Sequence, residues 1–367
     1  MDPSLKAKND CLSKISRVIP LIPTKMTSTS WIVPALDEVA RPTQISSREY
    51  SANIHADWSY GPAAHGGFLN TVIWKTVALH FRTTLIGLNQ PDAISLHFEY
   101  LRPTQLGEVR IHLREIRASK VLSTVNFSLQ QNGKERVVGY ATHVNRKLSA
   151  KGMSVDTQYR IDPPLQPIDF NAVMENRDPH YVLWRQPDCQ GTRFNCMQRI
   201  MYALPRQTHP DQGMADQWIC LKDPASRWTT TNLGLLTDWF GEPLENFLPN
   251  SRETRHLIVS DAERHAREGL PEKPWGWRSS VWYPTLSMSV DVKRALPEEG
   301  VKWLYSRVRI KGMSEGRQDI SMEVWDEEGR LVLLVQQLLA VFDVKLSLGS
   351  KLDGKKTAKG AKDGSKL

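Results

Sequence analysis

The chain has 367 residues, 40% hydrophobic and 24% charged, which suits two or three core-bearing units and not a disordered or collagen-like protein. No run approaches the ~18 consecutive apolar residues of a membrane span, so membrane insertion is not expected. The formal charge of +8 is uneven: seven lysines and two aspartates between Lys345 and Leu367 contribute +5, leaving +3 for the rest, which argues against a nucleic-acid surface.

The first 44 residues read as an N-terminal extension. The apolar run Val18 to Ile22 is broken by Pro20 and bounded by Pro23, so no signal peptide is expected, and Met26 is an alternative start to Met1. Residues 45–150 form a first unit. Ile45 to Trp58 reads as a strand, and His65-Gly66-Gly67 opens an apolar helix through Phe81. Four strand-like runs follow. Ala93 to Leu101 alternates; Val109, Ile111 and Leu113 share a period-2 face; Val121, Ser123, Val125, Phe127 and Leu129 share another; Arg136 to Val144 follows a turn at Asn132-Gly133. One long helix with an antiparallel sheet is an α+β layout.

Residues 151–346 repeat this order. Arg193 to Leu204 reads as a strand and Thr230 to Phe247 as the helix, interrupted near Gly241 and Pro243. Strands are expected at Trp282 to Val292, Trp303 to Ile310, Ile320 to Trp325 and Leu331 to Val344. Punctuation repeats as well: Arg102-Pro103 precedes Gly107 as Arg294 and Pro297 precede Gly300, and the turn at Gly133 matches Gly329. This is the pattern of an internal duplication. Insertions near 205–215 and 251–274 read as surface loops or lids. Trp282 and Trp303 read as core, and Trp239 as a candidate wall of an acyl pocket.

Four cysteines, Cys11, Cys189, Cys196 and Cys220, are too scattered for a disulfide scaffold, and no Cys-x-x-Cys pair suggests zinc. A reducing compartment is expected, with no metal and no cofactor. Residues 347–367 form a flexible basic tail ending in Ser365-Lys366-Leu367. Ser-Lys-Leu at a C-terminus is the address read by the peroxisomal import receptor, so the expected location is the peroxisome.

Three stretches carry a family resemblance: His65-Gly66-Gly67 at the helix start, His97-Phe98-Glu99-Tyr100-Leu101-Arg102-Pro103 on the next strand, and Gln131-Asn132-Gly133-Lys134 in the last hairpin. From about Ile45 to Val344 the chain resembles acyl-CoA thioesterase II, in which two hotdog folds are fused in tandem, each a curved antiparallel sheet around a central helix. The resemblance implies hydrolysis of acyl-CoA by a positioned water. It also implies the residues that position it: Asp238 in Leu235-Leu236-Thr237-Asp238-Trp239, Thr285 in Tyr283-Pro284-Thr285-Leu286-Ser287, and Gln336 in Leu334-Val335-Gln336-Gln337.

The duplication offers an internal comparison. Matching Gly133 to Gly329 puts Tyr140 opposite Gln336, and matching Arg102 to Arg294 puts Ala93 opposite Thr285. The first helix has no acidic residue to match Asp238. One active site is therefore expected, with the first unit as its wall. Taken alone, Asp238 reads either as a base or as a helix cap, and Gln336 and Thr285 read equally as plain strand residues. The backbone N–H groups of Gly66 and Gly67 suit an oxyanion or tight helix packing, and His65 suits a base or a structural role.

Gly312-Met313-Ser314-Glu315-Gly316 fits the serine nucleophile elbow, but it falls between two strands and reads as a hairpin loop. No hydratase run Asp-x-Asn-x-x-His precedes the first helix, and no phosphate-binding glycine loop occurs. The expectation is a double-hotdog acyl-CoA thioesterase. A thioesterase acting on a non-lipid or carrier-bound acyl group, and a silent acyl-CoA-binding protein, are the alternatives. Homo-oligomerisation through exposed hotdog surfaces is compatible with the pattern.

Overall fold

The structure is a computed structural model describing residues 35–60, 63–145, 152–153, 155–186, 195–207, 209–247, 251–269 and 281–343, with backbone alone at 60, 251–258 and 343. Met26, Cys11, Cys189, Trp275, Trp277 and the Ser365-Lys366-Leu367 terminus lie outside the described residues.

The first half begins with a short helix α1 (Leu36–Val39) and strands β1 (Thr43–Gln44) and β2 (Glu49–Ile54), then the long helix α2 (Gly66–Thr83). Strands β3 (Asp92–Tyr100), β4 (Gly107–Arg117), β5 (Leu122–Gln131) and β6 (Lys134–Val144) follow. The single strand expected from Ile45 to Trp58 is instead a turn, β2 and a 3-10 turn at Ala56–Trp58. The Ser46 hydroxyl accepts from the N–H groups of Arg48 and Glu49, a local alternative to a continuous ladder.

The second half contains α3 (Phe170–Met174), β7 (Tyr181–Arg185), β8 (Ile200–Pro205), β9 (Met214–Leu221), α4 (Leu233–Leu236), α5 (Ser251–Glu268), β10 (Thr285–Val292), β11 (Leu304–Ser314), β12 (Arg317–Trp325) and β13 (Leu331–Ala340). Several expectations change here. Within Arg193 to Leu204, residues 195–199 are a 3-10 helix and the strand starts at Ile200. Near 205–215 the chain makes a hairpin between β8 and β9, and the 251–274 insertion opens with the 18-residue helix α5. The candidate helix Thr230 to Phe247 shrinks to α4 flanked by 3-10 turns at Thr230–Asn232 and Pro243–Asn246. Trp303 is buried, but Trp282 is 52% exposed. It sits in a two-strand ribbon with Phe342, outside the main sheet.

All thirteen strands join one antiparallel sheet in the order β1-β2-β4-β5-β6-β3-β10-β13-β12-β11-β9-β8-β7. The seam is β3 with β10, where Ser289 pairs with His97 and Asp291 with Ser95. From that seam outward the halves repeat: β3, β6, β5, β4 on one side and β10, β13, β12, β11 on the other. Their irregularities repeat too. Register shifts at Ala93/Ser95, Glu115/Arg117 and Leu129/Gln130 recur at Thr285/Ser287, Ile310/Gly312 and Val324/Trp325. Bulges are placed features of a fold, so three matching ones establish the duplication. They also place Ala93 opposite Thr285.

Helix α2 buries thirteen of its eighteen residues, from Gly67 to Phe81. A helix apolar nearly all round must be wrapped, and the inward faces of β2 to β6, including Leu96, Phe98, Ile111 and Phe127, wrap it. Its first turns meet α4 backbone to backbone. A Cβ on Gly67 would fall 2.2 Å from the Leu235 carbonyl oxygen, and one on Gly234 would fall 2.6 Å from the Thr71 nitrogen. This glycine-on-glycine crossing brings the start of α2 against the end of α4.

Candidate active site

Asp238 follows the last turn of α4 and points at the N-terminus of α2. The Gly67 N–H donates to its Oδ2 at 3.1 Å, and the Thr285 hydroxyl donates to its Oδ1 at 3.3 Å. A Cβ on Gly66 would lie only 2.5 Å from Oδ2. The first glycine is thus what lets the carboxylate reach the helix end. The Asp238 side chain is 17% exposed. Burial pushes its pKa up to about 7, against the pull of the Gly67 N–H, the Thr285 hydroxyl and the Gly66 N–H. A carboxyl near neutrality accepts a proton far better than an ordinary aspartate.

His65 caps the same helix. Its Nδ1 accepts from the Gly67 N–H at 3.1 Å and lies 3.9 Å from Asp238 Oδ2. Burial pulls the ring down to about pKa 3, so it is neutral, and with Nδ1 accepting, the proton sits on Nε2. The ring packs on Trp239 at 4.5 Å between centroids. Trp239 is buried and donates through Nε1 to the Tyr202 hydroxyl.

Gln336 does not join this group. Residues Leu333, Val335, Gln337 and Leu339 of β13 face inward, while Gln336 is exposed on the outer face beside Lys311. Strand side chains alternate, so the inward glutamine is Gln337. Its Nε2 donates to the carbonyl of Thr237, the residue before Asp238, and its Oε1 is buried without a partner. In the first half the matching position is Ala141: the pair Ser95–Thr142 matches Ser287–Leu338, and Ala141 and Gln337 are one residue further back. The asymmetry between the halves therefore survives the correction.

Two further residues support Asp238. The Tyr100 hydroxyl donates to Asn70 Oδ1 at 2.6 Å, and Asn70 Nδ2 donates to Thr237 Oγ1 at 2.9 Å. Burial, and then the Asp238 charge, raise the Tyr100 phenol well above its usual value. Asn70 in an otherwise apolar helix face was the available signal for this buried chain of donors. Ser314, of the elbow-like motif, ends β11 at a tight turn with Glu315 and Gly316 at positive φ, so it has no strand-to-helix geometry. Among the described residues no group of three His, Cys, Asp or Glu side chains could hold a metal.

Profile comparison adds the deciding observation. The acyl-CoA thioesterase N-terminal domain matches residues 54–144 and the acyl-CoA thioesterase C-terminal domain matches residues 174–341. The chain belongs to the acyl-CoA thioesterase family. This family member is 25% identical over 340 residues to the thioesterase-like protein TwmA of Talaromyces wortmannii, covering 88% of this chain and 96% of that one. A hotdog-fold protein of unknown function from Alicyclobacillus acidocaldarius superposes with a TM-score of 0.59 at 18% identity, over 85% of this chain and 99% of that one. An acyl-CoA thioesterase II of Mycobacterium marinum superposes at 0.52 and 15% identity, over 84% and 98%. These structures share the double-hotdog fold of this thioesterase, in which Asp238 stands between the N-terminus of α2 and Thr285 at the start of β10.

Proposed function

We propose that the protein hydrolyses acyl-CoA thioesters to a carboxylic acid and CoA at Asp238. The observation that carries this reading is the Asp238 carboxyl, buried, raised toward neutrality and pinned between a helix N-terminus and the Thr285 hydroxyl. Asp238 takes a proton from a water as that water attacks the thioester carbonyl. Gln337 holds the backbone beside Asp238, and its unpartnered Oε1 is an acceptor for the same water. The neutral His65 offers Nε2–H to the carbonyl oxygen as negative charge develops there. Collapse of the tetrahedral species expels the CoA thiolate, and the proton held by Asp238 passes to its sulfur. Sulfur leaves readily, so a positioned water, a base and a donor suffice.

The test is release of CoA thiol from short, medium, long and aromatic acyl-CoAs by wild type and Asp238→Asn. Turnover on one class, reduced at least about 10³-fold in the variant with binding retained, supports the reading. No release from any member by wild type overturns it. The Ser365-Lys366-Leu367 terminus supports import into peroxisomes. A reporter carrying residues 347–367 should enter peroxisomes and lose that location when Leu367 is removed.

A further inference from the structure

The inner face of the second half-sheet is apolar through Met288, Val290, Ile320, Met322, Val324, Leu333 and Val335. At the end nearest Asp238 it changes character. Thr285, Leu339 and Gln318 stand in one cross-strand row on β10, β13 and β12, and Gln337 is the next inward residue on β13. Gln318 is fully buried, and neither of its amide atoms makes a hydrogen bond of ordinary geometry. Its neighbour is the carboxyl of Glu242, which among the described residues otherwise accepts from the Leu244 N–H at 3.0 Å. Glu242 lies four residues after Asp238, in the loop that replaces the rest of the expected helix. Its carboxyl is raised to about 7, first by burial and also by the Glu245 and Asp238 charges, so it can donate as well as accept.

A buried primary amide whose oxygen has no partner and whose nitrogen only approaches a carboxyl is costly in an apolar setting. A plain hydrocarbon chain against this patch leaves that cost in place. An oxygen-bearing acyl group removes it. Two strand spacings separate Thr285 from Gln318, about 10 Å, so the patch reads the acyl group a short way from the scissile bond. The CoA arm has to leave toward solvent, away from side chains as enclosed as Gln318 and Gln337.

We infer that Gln318 and Glu242 form a specificity subsite that selects acyl groups carrying a hydroxyl or keto oxygen over unsubstituted fatty acyl groups. The inference rests on the thioesterase reading for the position of the substrate. It supports a substrate from a pathway of modified acyl chains, and a reaction that hydroxylates or incompletely reduces an acyl chain must supply it.

The experiment measures binding and turnover separately. Non-hydrolysable S-alkyl-CoA thioethers of equal length, plain or hydroxylated at successive carbons, are titrated by calorimetry into wild type, Gln318→Met and Glu242→Gln. The corresponding thioesters are assayed for thiol release. Wild type should favour one hydroxylated position by about tenfold or more, and Gln318→Met should bring that ratio to about one. Because the readout is a ratio within one protein, partial unfolding of a variant does not alter it. Equal wild-type affinity for plain and hydroxylated thioethers overturns the inference, as does a Gln318→Met variant that weakens both alike. Absence of turnover with the binding preference intact overturns the hydrolase reading alone.

Discussion

Gly66→Ala separates the site from the stability of the fold. The backbone at Gly66 is not in the left-handed region, so alanine fits the first helical position without backbone strain. Its methyl, however, would stand 2.5 Å from Asp238 Oδ2 where ordinary contact begins near 3.4 Å. The carboxylate must retreat by about 0.9 Å, the difference of those two distances. The Gly67 N–H bond to Oδ2, now 3.1 Å, then lengthens beyond hydrogen-bond range. A displacement of ~1 Å at a reacting group costs about 10²-fold in rate. The expected result is kcat/KM down about 10²-fold, with a thermal midpoint close to that of wild type. Steady-state thiol release and a thermal melt, on the same preparation, check both. Activity within threefold of wild type, with a folded variant, would refute the claim that this carboxylate position carries the reaction. Gly67→Ala is the contrast: its methyl meets the Leu235 carbonyl at 2.2 Å, so it should destabilise by about 1–3 kcal/mol through overpacking.

The Asp238 shift to about 7 has opposite consequences for rate and stability. The folded carboxyl binds its proton more tightly than the unfolded one, so stability falls as pH rises from about 4 to 7, while kcat/KM rises to a plateau above about 7 as the base form appears. Asp238→Asn should abolish the rate trend and remove Asp238's share of the stability trend, leaving that of Glu242, with a gain on the order of 2 kcal/mol at pH 8 by denaturant titration, allowing for partial exposure. Gln337→Ala should lower kcat/KM by about 10²-fold and stability by about 1 kcal/mol, whereas Gln336→Ala should leave thiol release unchanged; equal effects would refute the assignment of the inward glutamine. His143 is buried and stacked on Phe81, with its pKa lowered to about 3 by desolvation. Its contribution is fully present above the unfolded pKa of ~6.5 and is lost as pH falls from there toward 3, so His143→Leu should reduce the slope of that acid limb, which His65 shares, in denaturant titrations at stepped pH.

The sheet was legible because half-buried strands alternate. Val109, Ile111 and Leu113 or Val125, Phe127 and Leu129 leave one choice of face. The stretch Leu331-Val332-Leu333-Leu334-Val335-Gln336-Gln337 is apolar on both faces, so alternation could not distinguish its two glutamines; only the register against β12 and β10 does. Helix α4 was overestimated because its length is set by tertiary contact. Gly234 packs on the α2 backbone, the chain leaves the helix so that Asp238 can turn to Gly67, and Pro243 prevents its return. Asp238 and Thr285 are legible through the family resemblance, but the part of Gly66 as an open approach to the carboxylate requires the crossing of α2 and α4.

That crossing also fixes a stoichiometry. Gly67 faces the Leu235 backbone, Gly234 faces the Asn70–Thr71 backbone, and Asn70 bonds to Thr237 across the same contact, so the counterpart of Asp238 is Thr71. At the far pole Thr71, Ala93 and Ala141 occupy the places of Asp238, Thr285 and Gln337. The carboxylate beside that pole, Asp37, is already engaged by Asn232 and Lys75, so it offers no free base. Each chain, whatever its state of assembly, should saturate with one equivalent of a tight-binding acyl-CoA analogue.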